Sequence, residues 1–240
     1  MKKRLKKMIL CLAAVCAVCY GALAIYASDY YRSDAVAVAA LAGGEGVTVE
    51  ITDSMAVFRP DKAEAGFIFY PGGKVEYTAY APLMYKLAQN DIVCIITEMP
   101  FNLAVMNADA ADKAYGKIAD VERWYIGGHS LGGSMAASFV SDSDIDFEGL
   151  VLLASYSTAD LSADDVEVLS VYGTEDRVLN MEKYKEYYSN LPKDTTEFVI
   201  EGGNHAQFGS YGLQKGDGTA SVTAEQQLET AAEAIIEFMQ

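Results

Sequence analysis

The chain is 240 residues long, 51% apolar and 22% charged, a globular composition that excludes intrinsic disorder, collagen and a disulfide scaffold. Acidic side chains outnumber basic ones 34 to 18, and five of the 18 (Lys2, Lys3, Arg4, Lys6, Lys7) fall in the first seven residues. The body beyond residue 28 therefore carries 13 basic against 34 acidic groups, a net of −21. Such a charge repels a phosphate backbone, so no nucleic-acid partner is expected, and it disfavours broad docking onto an anionic membrane.

The N-terminal stretch reads as an address. Met8 to Ser28 holds no charged side chain, and the 19 residues from Met8 to Tyr26 would make a helix of roughly 28 Å, close to the hydrocarbon thickness of a bilayer. The basic cluster before it, with Asp29, Arg32 and Asp34 after it, predicts a cytoplasmic N-terminus and an extracytoplasmic body. Tyr20, Tyr26, Tyr30 and Tyr31 suit the outer interface. A cleaved signal peptide is the competing reading, because Ala22-Leu23-Ala24 and Ile25-Tyr26-Ala27 offer small residues to a peptidase. Lipidation at Cys16 or Cys19 is a third. Residues 1–28 are thus read as basic stub and anchor, and 29–240 as one domain. With Cys11, Cys16 and Cys19 in the apolar stretch, Cys94 stands alone in the body and no internal disulfide can form there.

In the body, short β-branched or aromatic runs alternate with helical stretches, the pattern of an α/β fold with a mostly parallel sheet of about eight strands. Strands are predicted at Val47 to Ile51, Ser54 to Arg59, Gly66 to Tyr70, Ile92 to Thr97, Arg123 to Ile126, Gly149 to Ala154, Val166 to Tyr172 and Thr195 to Ile200. The first two read as an edge hairpin turning near Thr52 and Asp53. Helices are predicted at Tyr77 to Gln89, Ala108 to Asp120, Leu131 to Ser141, Met181 to Leu191 and Thr223 to Met239. The last shows an apolar face through Leu228, Ala231, Ala232, Ile235 and Phe238. Only Ser155 to Asp165 separates two strands, which leaves no room for a cap domain. Glu201 to Val222 is a long Gly-rich segment without periodicity, a length associated with function or disorder.

Chemistry concentrates in four places. Gly128-His129-Ser130-Leu131-Gly132 follows a predicted strand and opens a predicted helix, the context a nucleophile elbow requires. The turn presents the Ser130 hydroxyl above the sheet, and the helix start supplies the Leu131 N–H to a developing oxyanion. A second oxyanion donor is expected from Tyr70-Pro71-Gly72-Gly73-Lys74, with Gly73 first and Lys74 next. The base must be one of two histidines. His129 adjoins the serine and points away from it, which leaves His205 in the flexible Gly-rich segment. The carboxylate that orients it is expected in Gly173-Thr174-Glu175-Asp176-Arg177-Val178, with Asp176 favoured, Glu175 a substitute and Asp160 a second choice. Phe208 and Tyr211, near His205, read as pocket lining. Two histidines and one body cysteine make no metal-ligand set, and no glycine-rich segment has dinucleotide or P-loop spacing, so neither metal nor cofactor is expected.

The segments Tyr70-Pro71-Gly72-Gly73, Gly127-Gly128-His129-Ser130-Leu131-Gly132-Gly133, Gly173-Thr174-Glu175-Asp176-Arg177-Val178 and Gly203-Asn204-His205, in that order, resemble the α/β-hydrolases. The resemblance covers roughly Val47 to Met239 and is to the compact lidless kind, related to small esterases and dienelactone-hydrolase-like proteins. It implies the α/β-hydrolase fold and a serine hydrolase acting on a small ester, with Ser130, Asp176 and His205 as triad. Serine stands where true dienelactone hydrolases carry cysteine. Amide or thioester cleavage and acyl transfer share the same acyl-enzyme, and a silent hydrolase fold serving as a surface binding module is the reading outside that class.

Overall fold

A computed structural model describes residues 2–118 and 121–240. The chain forms two compact units, one ending at Tyr30 and one running from Tyr31 to Gln240. The first is helix α1, Lys2–Ser28. Within it Lys3–Tyr26, 24 residues, is long and apolar enough to cross a membrane, a test that N-terminal signal sequences also pass.

The second unit carries an eight-stranded sheet in the order β1-β2-β4-β3-β5-β6-β7-β8. The strands are β1 (Val47–Ile51), β2 (Met55–Pro60), β3 (Ala65–Tyr70), β4 (Ile92–Thr97), β5 (Trp124–His129), β6 (Gly149–Leu153), β7 (Glu167–Gly173) and β8 (Thr196–Ile200). The first two form the expected antiparallel edge hairpin, and β2 meets β4 antiparallel. From β4 to β8 every pairing is parallel.

Parallel strands covered on both faces read as unbroken apolar runs, and β3, β4 and β6 are buried throughout. Alternation along them sorts the core into two layers. Phe67, Phe69, Cys94, Ile96, Val151 and Leu153 face one, while Ile68, Tyr70, Val93, Ile95, Leu150 and Leu152 face the other. Helices α3 (Ala81–Ala88) and α7 (Ala224–Phe238) supply apolar side chains to the first layer, and α4 (Ala110–Tyr115) and α5 (Leu131–Asp142) supply them to the second. The face predicted for α7 is the one it buries through Leu228, Ala231, Ala232 and Ile235, and a Thr223–Gln226 capping box starts the helix.

Several boundaries differ from expectation. Tyr77 to Gln89 is a 3₁₀ turn over Tyr77–Tyr80 followed by α3. Pro82, which lacks an N–H, fits the first turn of a new helix but not the middle of a long one. The helix expected over Ala108 to Asp120 is described only over Ala110–Tyr115, and Ala119 and Asp120 lie outside the described residues. Met181 to Leu191 ends as an α-helix at Tyr187 (α6) and closes in a 3₁₀ turn. Strand β5 runs three residues past its predicted end at Ile126, so both elbow glycines before the serine are strand. Helix α2 (Ala35–Ala40) is not among the predicted helices. The Asp34 carboxylate starts it by accepting the Val36 and Ala37 N–H groups. No helix occurs between Leu153 and Glu167, in keeping with the absence of a cap there.

Candidate active site

Ser130 sits at the turn from β5 into α5 with φ 52° and ψ −121°, a backbone region that L-residues occupy only when their surroundings enforce it. The enforcement is local. The Ser130 N–H donates to the Leu153 carbonyl at 2.9 Å, and the Ser130 carbonyl accepts the Ser155 hydroxyl at 2.7 Å. The flanking glycines permit the close approach of helix to strand. A Cβ on Gly128 would lie 2.5 Å from the Gly132 backbone, and one on Gly132 would lie 2.2 Å from the Tyr70 carbonyl oxygen.

The loop after β3 meets this turn. Its Gly72 N–H donates to the Tyr80 hydroxyl at 3.0 Å, and its Lys74 N–H donates to the Asn102 carbonyl at 2.7 Å. Lys74, named as the next donor after Gly73, is therefore already engaged. Lys74, Phe101 and Asn102 all take positive φ, so two strained loops lean on each other through that bond. Among the described residues, the Gly73 and Leu131 N–H groups have no hydrogen-bond partner.

His205 is buried, and its Nδ1 lies 2.8 Å from Asp176 Oδ2. The other Asp176 oxygen accepts the Val178 and Leu179 N–H groups, each at 2.8 Å. This division of labour fixes the carboxylate plane and leaves one oxygen to the imidazole. Neither alternative carboxylate is so placed. Asp160 is exposed and holds the Ser162 hydroxyl at 2.6 Å, and Glu175 pairs with Arg177 at 3.4 Å. The His205 Nε2 atom is buried and has no partner among the described residues. Ser130, Leu131, Ser134, Tyr156, Leu179 and His205 share the lining of one cavity of about 250 Å³. Phe208 and Tyr211 do not line it. Both are core, with the Phe208 ring 5.8 Å from that of His129.

His129 is buried against the other histidine, the two ring centroids 4.5 Å apart. Its Nδ1 lies 2.8 Å from the Tyr80 hydroxyl. The same hydroxyl receives the Gly72 N–H, so Tyr80 joins the loop after β3 to His129. Burial holds its pKa well below the ordinary 6.5, and His205 adds to the depression. The sign for stability follows. Below that value the unfolded chain binds a proton that the folded chain refuses, so stability falls with falling pH. The expected loss is on the order of 1 kcal/mol as the pH falls through the ordinary histidine range, from about 7.5 to about 5.5. In urea melts His129→Asn, which keeps a polar side chain toward Tyr80 but cannot titrate, should lack that increment, and equal pH dependence in variant and wild type would refute it.

A model of the Alpha/beta hydrolase family matches residues 66–229, more than half of the chain. No curated protein matches the sequence significantly. Solved structures do share the fold. The dienelactone hydrolase from Anabaena variabilis is 12% identical, with a TM-score of 0.59 over 82% of this chain and 100% of that one. A thermostable esterase from Pseudomonas putida is 14% identical, with a TM-score of 0.58 over 85% and 88%. Carboxyl esterase 2 from Tuber melanosporum is 13% identical, with a TM-score of 0.59 over 82% and 90%.

Proposed function

The chain belongs to the alpha/beta hydrolase family, and from that premise we propose that it is a serine hydrolase cleaving carboxylic esters. The observation that carries the reading is the shared cavity, lined both by a serine held at positive φ and by a buried histidine bonded to a buried aspartate. His205 takes the Ser130 proton as the hydroxyl attacks the ester carbonyl, and Asp176 stabilises the imidazolium that forms. The Leu131 and Gly73 N–H groups receive the oxyanion. His205 then protonates the leaving alcohol, and water repeats the sequence on the acyl-enzyme. Esterases among the structures of the same fold support esters over amides and thioesters. The small cavity and the lack of a helix between β6 and β7 favour short acyl groups on soluble esters. Preference for long-chain emulsified lipid would contradict this.

Residues 1–28 are proposed as an uncleaved anchor and 29–240 as the hydrolase domain outside the cytoplasm, on the basic cluster and the apolar helix α1. One experiment reaches both proposals. Intact cells expressing the full chain are treated with a membrane-impermeant fluorophosphonate, then fractionated. Labelling is expected in the membrane fraction after an alkaline wash, and it should vanish in Ser130→Ala and His205→Ala. Labelling that survives Ser130→Ala overturns the assignment. A folded wild type that never labels, even after lysis, points to a binding module. Labelling only after lysis overturns the topology, and a soluble labelled product overturns the anchor.

A further inference from the structure

The Gly-rich segment that carries His205, expected to be flexible, is pinned at both ends of its turn. Gln227, fully buried on α7, grips the Asn204 backbone with both ends of its amide: Oε1 accepts the Asn204 N–H at 2.9 Å and Nε2 donates to the Asn204 carbonyl at 2.7 Å. The Asn204 side chain in turn donates to the Gly218 carbonyl at 2.9 Å and accepts the Gln207 N–H at 3.1 Å. These contacts hold the loop to the helix. The Glu175 N–H donates to the Gly203 carbonyl and the Gly202 N–H to the Thr174 hydroxyl, each at 2.8 Å, and join the loop to the turn that carries Asp176, but none of these bonds engages the backbone of His205.

Asp217 does. Its Oδ1 accepts the His205 N–H at 3.3 Å and, from the other turn, the Arg177 N–H at 3.3 Å. The same oxygen takes the Gly218 N–H at 2.8 Å, and Oδ2 takes the Ala206 N–H at 2.8 Å. Arg177, the residue directly after Asp176, and the histidine itself are thus tied to one carboxylate. Gly218, next in sequence to Asp217, is packed so tightly that a Cβ there would lie 1.9 Å from the Glu175 carbonyl oxygen. An uncharged amide cannot replace this arrangement, since one of its ends would set N–H against backbone N–H.

We propose that Asp217 is a positioning residue for the hydrolysis, locking the Asp176 turn to the His205 turn so that the 2.8 Å Asp176–His205 bond is formed before substrate arrives. The inference rests on the triad reading above. Backbone N–H groups bound to a carboxylate make stiff, charge-assisted contacts, and a preformed acid–base pair avoids reorganisation during the reaction.

The test compares full-length wild type with Asp217→Asn in two measurements. The first is kcat on a short-chain p-nitrophenyl ester per site titrated by fluorophosphonate, which removes any inactive fraction from the comparison. It should fall by about 10²-fold, as expected for a small misplacement of a reacting group, while KM changes little. Wild-type kcat per titrated site overturns the proposal, even if Asp217→Asn lowers the titratable fraction or the melting temperature, because that pattern belongs to a loop staple. The second is the ¹H NMR signal of the His205 Nδ1 proton in the bond to Asp176, which should be lost or broadened in Asp217→Asn and needs no turnover. A signal unchanged in the variant overturns the proposal. A wild type that shows the signal but neither labels nor turns over ester overturns the hydrolase reading, while the signal's dependence on Asp217 still reports the lock.

Discussion

Ser130→Ala is expected to lower kcat on a short-chain ester by about 10⁶-fold while leaving the melting temperature unchanged. The hydroxyl is the only group removed, no hydrogen bond of the fold runs through it among the described residues, and the Cβ and the backbone at φ 52° stay as they were. Ser130→Gly separates chemistry from strain. It should abolish turnover equally, yet raise stability by about 1 kcal/mol, because relief of the strained conformation exceeds the added chain entropy of glycine. Kinetics and thermal melts of both variants check this. Retained turnover in either would remove Ser130 from the mechanism, and a Ser130→Gly protein no more stable than Ser130→Ala would mean the turn stores no strain.

Gly132→Ala carries the second large effect, and it acts through backbone. The new Cβ would lie 2.2 Å from the Tyr70 carbonyl oxygen and 2.4 Å from that of Pro71, and neither atom can swing aside as a side chain can. Helix α5 and the loop bearing Gly73 must separate, which should cost about 3 kcal/mol of stability. The same shift withdraws the proposed Gly73 donor from the oxyanion, for a loss of about 10²-fold to 10³-fold in kcat. Gly73→Ala is the control. Its Cβ would meet only the Leu131 side chain, at 3.1 Å, which can give way. Denaturant melts and kcat on the two variants should therefore diverge widely, and a Gly132→Ala protein with wild-type stability and rate would show that this contact does not set the site.

What was legible in the chain was local. The change from period-two apolar runs to helical spacing gave the alternating elements. The glycines around Ser130 marked a strand-to-helix turn because only residues without a Cβ allow that approach, and the capped amphipathic face of α7 could be read residue by residue. Gly73 was legible as a place in a turn, but that it alone in the Gly72–Lys74 stretch keeps an unengaged N–H depended on Tyr80 and Asn102, 8 and 28 residues from the groups they bind.

The choice among Asp160, Glu175 and Asp176 was likewise open, since all three sit beyond strand ends. It was decided by which carboxylate is buried against His205 across 29 residues of chain. Asp217, Gln227 and the Tyr80–His129 pair left no mark at all, being polar side chains in ordinary sequence whose partners are set by the packing of distant segments. Periodicity and turn chemistry report what a residue's near neighbours permit, and so determined the elements and the serine's turn. Buried polar groups must find partners wherever the folded chain provides them, and so only the tertiary structure decided how Asp176, His205 and the side chains around them come together.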